Sequence, residues 1–166
     1  MKKMNGVLPW VIMTVFLVLL QIDCFAAQGT PMDLTKALKI GSGKTVVIEF
    51  TDPDCPFCRK GAAYFLKRQD VTRYIFLNPL PMHPQAKDKA RYILSAADPA
   101  KAYEEAMTGM LDGKQLTGIT DAGTKLLEEH LAIAREAGMN STPAYIICGR
   151  IFHGLDQKKI DMMLGK

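Results

Sequence analysis

The sequence has little with which to bind a metal or a nucleic acid, and little to hold it in a membrane. It contains three histidines and four cysteines. Only Cys55 and Cys58 stand close together, whereas a structural zinc site takes four ligands, usually two such pairs or one pair plus two histidines. His83, His130 and His153 are scattered, so a metal site is not expected. Basic blocks are also missing: the net charge of +4 is spread along the chain rather than clustered as on a nucleic-acid surface. No internal repeat or low-complexity segment occurs. The sequence has a single long hydrophobic run, Val7 to Leu20, whose 14 residues fall short of the roughly 18 that span a bilayer as a helix.

That run lies in a leader-like segment. Met1, Lys2 and Lys3 precede it and the small residues of CFAAQG follow it, the layout of a cleaved secretory signal peptide. Residues 1–26 are therefore expected to be removed after Ala26, leaving an exported chain that begins near Ala27. Attachment of lipid at Cys24 is disfavoured because Ile22 and Asp23 are not small. Cleavage removes Lys2, Lys3 and Asp23 and leaves Cys55, Cys58 and Cys148, an odd set of thiols for an oxidising compartment.

What remains has the composition of a globular domain, 48% hydrophobic and 23% charged. Residues 27–44 read as a linker with a short helix, capped by Asp33 or Thr35 and carrying Leu34, Ala37 and Leu38 on one side. TVVIEF, residues 45–50, is β-branched and almost continuously apolar, as a central parallel strand buried on both faces would be. A helix is expected over residues 58–69, with Ala62, Phe65 and Leu66 at helical spacing and Gly61 costing about 1 kcal/mol relative to alanine. Residues 71–78 form a second strand candidate. Helices follow over 86–97, over 98–111 with Asp98 as cap and Pro99 first in the helix, and over 121–138. In the last, Leu126, Leu127, His130, Leu131 and Ala134 share a face and Gly138 ends it. STPAYIICGRIFHG reads as two short strands around Gly149 and Arg150, and residues 157–166 as a final helix. This order predicts an α/β, thioredoxin-like fold over residues 45–166, with a helical insertion between the second and third strands of the core.

The pair in Cys55-Pro56-Phe57-Cys58 admits three uses, of which zinc is already set aside. A purely structural disulfide would close a loop of about four residues, where chain-entropy stabilisation is smallest. Redox exchange explains the location as well as the spacing. The pair falls between a buried strand and a helix start, where unpaired N–H groups and the helix dipole favour a thiolate. Cys55 is then the exposed nucleophile and Cys58 the more buried thiol that resolves a mixed disulfide. Arg59 and Lys60 add positive charge nearby and Asp52 and Asp54 oppose it. Glu49, six residues before Cys55 in an apolar strand, reads either as a buried acceptor for the Cys58 proton or as a strand-edge carboxylate paired with a lysine. Cys148 is expected in a strand core as a small hydrophobe rather than in a regulatory or intermolecular disulfide, and His83, between prolines in PLPMHPQ, in a surface loop rather than on the border of the active-site face. Met107, Met110, Met139, Met162 and Met163 are core candidates, some of them suited to an adaptable substrate surface.

FTDPDCPFCRK resembles the active-site segment of the bacterial disulfide isomerase family of DsbC and DsbG, in which an FTD stretch leads into the redox pair. The likeness continues through DPAKAYEEAMTGM and AREAGMNSTPAYIICGRIFHG and so covers roughly residues 45–166. It implies a cis bond between Thr142 and Pro143, which would face Cys55 and present backbone groups to a bound peptide. An X-Pro bond with nothing else known of it is cis in only about 5% of cases. Phe57 joins Thr142 and Pro143 as a substrate contact. The resemblance further implies a cofactor-free enzyme of the periplasm that reduces or isomerises disulfides in folding exported proteins. A DsbD-like membrane electron donor would keep it reduced. Two features depart from the family pattern. Only residues 27–44 precede the first strand where DsbC-like members carry a dimerisation domain, which favours a monomer, and the second structural cysteine pair is missing, with Ser95 near the place of one partner. A monomeric oxidant working in the DsbA direction and a chaperone-like binding module are the rival expectations.

Overall fold

The two β-branched runs pair with each other and set the frame. In the computed structural model, which describes residues 32–165, Thr45–Thr51 (β2) and Val71–Leu77 (β3) run parallel, with Val47 beside Arg73 and Glu49 beside Ile75. Ala144–Ile147 (β4) lies antiparallel on the other side of β2, Arg150–His153 (β5) pairs with β4, and Leu38–Ile40 (β1) pairs with β3. The sheet order is β1-β3-β2-β4-β5. The expected signal segment, with Cys24, lies outside the described residues.

Helices cover both faces of this sheet. Pro56–Phe65 (α1) packs through Phe65, and Gln157–Met163 (α5) through Ile160, against Val47, Tyr145 and Ile147. Asp121–Glu136 (α4) packs on the opposite face, Ala134 meeting Phe50 and Phe76. Ala86–Ser95 (α2) and Pro99–Met107 (α3) complete the insertion between β3 and β4 and bring Ala90, Ile93, Tyr103 and Ala106 into one cluster with Cys55, Cys58, Ile75 and Leu77. Local chemistry sets the ends of these helices. The Asp98 side chain accepts from the Lys101 N–H, that of Thr120 from Gly123, and that of Asp156 from Lys159, each satisfying a first-turn donor. Among the described residues no helix is long and apolar enough to cross a membrane.

Three expectations are corrected here. Leu38 does not lie on a helix: the short helix is a 3-10 turn, Leu34–Lys36, capped by Asp33. The chain then extends into β1, because three helical residues nucleate poorly and β3 offers an edge to pair with. Cys148 does not sit in a strand core. Ile147 pairs with Arg150, so Cys148 and Gly149 are the two central residues of the hairpin turn, shifting it one residue back from the expected Gly149-Arg150. Both have positive φ, 48° and 71°, as a two-residue hairpin turn of the primed kind requires, and Cys148 is exposed. Met110 and Met162 are exposed as well, whereas Met107 and Met139 are core residues.

His130, expected on the inner face of α4, is fully buried and joins three elements. Its Nδ1 accepts from the Leu77 N–H at 3.0 Å and its Nε2–H donates to the Lys36 carbonyl at 2.8 Å. Burial draws its pKa down, in keeping with a neutral ring that ties α4 to the end of β3 and to the 3-10 turn.

Candidate active site

The site forms where β2 ends and α1 begins. Cys55 is the N-cap of α1, with Pro56 in the first helical position, where its missing N–H costs nothing. The Cys55 N–H donates to the Asp52 carbonyl at 3.2 Å. Its sulfur faces the unpaired end of the helix. The Cys55 pKa is drawn down to about 6, chiefly by the Cys58 thiol, against a burial penalty, and further by the backbone N–H groups of Cys58 and Phe57 and by Thr142. Cys58 behaves oppositely. Burial, together with the proton it shares toward Cys55, holds it protonated far above the usual thiol range. Its sulfur accepts from the Asp52 N–H at 3.4 Å. These are the free cysteines among the described residues.

Cys55 is less open than expected. Its exposure is 5%, against none for Cys58, so the order of burial holds but the nucleophile is nearly covered. The cover comes from the segment before β4. The Cys55 thiol donates to the Thr142 carbonyl at 3.6 Å, and the Thr142–Pro143 bond is cis. The register Phe50 to Ala144 delivers these two residues, because it sets the start of β4 beside the end of β2. Phe57, in the first turn of α1, is 58% exposed, its ring 5.5 Å from the Lys60 ammonium.

Glu49 is buried as expected, but neither at a sheet edge nor on a lysine. Its Oε2 accepts from Arg73 Nη2 at 2.7 Å and Nε at 3.1 Å. Its Oε1 accepts from the Tyr103 hydroxyl at 3.3 Å, and Arg73 also donates to that hydroxyl at 2.9 Å. Burial raises the Tyr103 phenol above its ordinary pKa, against the pull of Arg73. Tyr103 belongs to the same buried cluster as Cys58.

Two further clusters went unmarked in the sequence. Asp52 is fully buried. Its Oδ1 accepts from the Asp54 N–H at 2.7 Å, and its Oδ2 accepts from the Leu80 N–H at 2.7 Å and meets His83 Nδ1 at 2.8 Å. His83 is thus no free surface histidine: from the loop between β3 and α2 it reaches the loop that carries the pair. The second cluster joins this loop to the insertion. Arg59 donates through Nε to the Pro53 carbonyl at 2.7 Å and forks onto Asp112 at 2.7 and 2.8 Å. The Lys89 ammonium, 2% exposed, bonds both Asp54 and Asp112. Asp52 carried a faint signal, one of two carboxylates just before the pair. Lys89 carried none, because its partners are remote in sequence.

Comparison with known proteins agrees with the fold. The model of the thioredoxin-like domain family matches residues 32–153. The crystal structure of a disulfide interchange protein from Neisseria gonorrhoeae is 34% identical, superposes with a TM-score of 0.67, and aligns over 80% of this chain and 96% of that one. A curated relative from Bordetella parapertussis, named a probable thiol:disulfide interchange protein DsbC, is 29% identical over 136 residues, which is 81% of this chain and 47% of the relative. Its namesake from Bordetella avium is 38% identical over 94 residues, 57% of this chain and 32% of that protein. The chain spans about half the length, or less, of the curated relatives it matches. The catalytic domain of Proteus mirabilis ScsC, 24% identical with a TM-score of 0.60, shares the fold over 78% of this chain and 87% of that one.

Proposed function

The chain belongs to the thioredoxin-like domain family, and we propose that it is an exported thiol:disulfide interchange enzyme that reduces or isomerises disulfides in proteins folding in the periplasm. The observation that carries this reading is the contrast between the two thiols. A Cys55 drawn to about 6 is mostly thiolate at neutral pH, while Cys58 stays protonated. Thiolate is the attacking species in exchange.

In this reading the Cys55 thiolate attacks one sulfur of a substrate disulfide. A Cys55–substrate bond forms, the substrate S–S bond breaks, and the other substrate sulfur leaves as thiolate. Two outcomes then compete. A second substrate thiolate attacks the mixed disulfide, which makes a new pairing and returns Cys55, and this is isomerisation. Alternatively Cys58 loses its proton and attacks Cys55, releasing a substrate dithiol and leaving the Cys55–Cys58 disulfide, and this is reduction by two electrons. A firmly protonated Cys58 slows the second route and gives the first time to occur. Glu49, which accepts from the Tyr103 hydroxyl in the cluster that holds Cys58, is the acceptor for the Cys58 proton. The Thr142 carbonyl and Pro143 line up the peptide beside Cys55, with Phe57 as an apolar contact. Oxidised enzyme is recycled by a DsbD-like membrane electron donor.

A second reading, donation of the disulfide to substrates, draws on the same thiolate, since stabilising the reduced form makes the disulfide more oxidising. The steady-state redox state of the pair in periplasmic extracts, trapped with acid and alkylated, separates the two. A reduced pair, with Cys58→Ala accumulating mixed disulfides to exported proteins, supports isomerisation. A pair found oxidised would sink it in favour of donation.

A further inference from the structure

We propose that His83 is a positioning residue for this reaction: seated on the buried Asp52 carboxylate, its imidazolium balances the negative charge that collects at the Cys55 sulfur. The inference rests on the reading of Cys55 as the attacking thiolate.

Asp52 is the pivot of the active-site loop. Its carbonyl accepts from the Cys55 N–H at 3.2 Å, its N–H donates to the Cys58 sulfur at 3.4 Å, and its carboxylate is withdrawn from water. An uncompensated carboxylate in that position would oppose a thiolate, because like charges disfavour one another's ionised forms. Its other two partners, the backbone N–H groups of Asp54 and Leu80, carry no net charge. His83 is the partner that supplies one. Its side chain is 22% exposed, so its proton exchanges with solvent while Nδ1 stays on Asp52. The ring is also fixed in place. The His83 N–H donates to the Leu80 carbonyl at 3.0 Å and the His83 carbonyl accepts from the Ala86 N–H at 3.1 Å, which closes a turn immediately before α2.

The Asp52 hydrogen bond raises the His83 pKa most, burial opposes it, and the charges of Asp52, Cys55 and Asp54, in that order, raise it further. Asp54 is already engaged by Arg59 and Lys89, which in turn hold Asp112. Asp52 and the Cys55 thiolate are therefore the anions left for His83 to serve. Between about pH 6, where Cys55 ionises, and the raised titration of His83, thiolate and imidazolium coexist. Below that window the thiol is protonated. Above it the imidazole is neutral and Asp52 loses its hydrogen-bonded cation, keeping only the weaker pull of Arg59.

Linkage makes the effect reciprocal. Oxidising the pair to a disulfide removes the thiolate, so His83 must then titrate lower. The test is an NMR titration of the histidine ring protons in the reduced and the diamide-oxidised native chain, with His83→Gln used to assign the resonance. A lower His83 midpoint in the oxidised protein is expected, and equal midpoints in both states would overturn the proposal. A second measurement follows Cys55 itself by thiolate absorbance and by iodoacetamide alkylation. His83→Gln should move its ionisation upward, cutting alkylation at pH 6 toward about a fifth if the shift is near one unit, and His83→Lys should restore much of the rate. Unchanged ionisation in a folded His83→Gln would also overturn the proposal. Should that variant fail to fold, the redox comparison on the native chain decides alone. Insulin reduction by the native chain, run in parallel, reads the interchange activity itself, and its absence would sink that reading whatever His83 does.

Discussion

The Cys55 thiol and the Thr142 carbonyl oxygen stand 3.6 Å apart, although 87 positions separate the two residues. The antiparallel pairing of β2 with β4 makes this contact, since Phe50 opposite Ala144 leaves the residues just beyond each to meet above the sheet. A nucleophile on one loop is thereby capped by a backbone acceptor from the other, and a peptide that reaches Cys55 must pass the Thr142–Pro143 lip.

Cys55 should announce its ionisation in a pH profile. With a pKa of about 6, iodoacetamide should modify it at a nearly constant rate above pH 7 and progressively more slowly below pH 6, while Cys58 stays unreactive through the neutral range. The reduction potential should bend at the same point. Below it two protons accompany two electrons, about 59 mV per pH unit, and above it one proton, about 30 mV. The depressed pKa also fixes a sign for stability. The unfolded thiol ionises near 9, so reduced protein should gain stability relative to oxidised as pH rises from about 6 to 9, and lose that gain as pH falls back through 6. Urea midpoints of the two redox forms across this range check it.

The sequence carried the frame of this site further than its fine electrostatics. The strand at residues 45–50, the helix after the pair and the turn signals near Gly149 are local patterns, set by β-branching, Pro56 and glycine. The redox pair was legible because a CxxC at a strand-to-helix junction has few other uses, and the Thr142–Pro143 segment only through the family resemblance. What stayed hidden depended on residues meeting across the fold. Glu49 was recognisable as an odd acid in an apolar strand, yet its partner Arg73 sits on the neighbouring strand and Tyr103 on an inserted helix. Lys89 looked like any surface lysine of α2 until Asp54 and Asp112 closed over it. β1 escaped notice because three residues carry no period, and β3 rather than their own sequence makes them a strand.

The charge cluster that joins the active-site loop to the insertion should be resistant to mild acid. Asp112 is held below the usual carboxylate range, first by its fork with Arg59 and then by Lys89. A depressed carboxyl contributes stability that is present above its unfolded pKa and lost as pH falls through the folded one. Asp112→Asn should therefore be less stable than the parent at pH 7, by about 1 kcal/mol given that Asp112 is half exposed. The gap should close only well below pH 4. Thermal melts at pH 7, 4 and 2.5 read this directly, and a gap that had already vanished at pH 4 would contradict it.

The Glu49–Arg73 pair makes a different demand. Both side chains are buried, so removing one leaves the other charged without a partner, a loss of about 3–5 kcal/mol. Glu49→Ala and Arg73→Ala should each lower the urea midpoint strongly, whereas Glu49→Leu combined with Arg73→Leu should recover much of the loss. Additive losses in the double variant would mean that the two charges are not coupled. Glu49→Gln, the mildest change, separates packing from the proton relay: release of substrate from the Cys55 mixed disulfide should slow while attack by Cys55 keeps its rate.

Gly61 in α1 looks like a place to gain stability, since alanine is favoured over glycine within a helix by about 1 kcal/mol. The structure argues the reverse. A Cβ on Gly61 would lie 2.3 Å from the Tyr145 hydroxyl oxygen, and Tyr145 is a fully buried ring on β4, packed against Phe65 with centroids 5.6 Å apart. Neither the helix nor the ring can yield without disturbing the layer that supports the cysteine pair. Gly61→Ala should therefore destabilise, and by more than the propensity it gains. The Tyr145 hydroxyl is itself buried without a hydrogen-bond partner among the described residues, so Tyr145→Phe removes a desolvated polar group and should be neutral or stabilising by about 1 kcal/mol. In combination the two should be better than additive, because deleting the hydroxyl removes the atom that the new methyl strikes. A double-mutant cycle on urea midpoints measures the coupling, and a coupling energy near zero would show that the close approach at Gly61 is not what keeps glycine there.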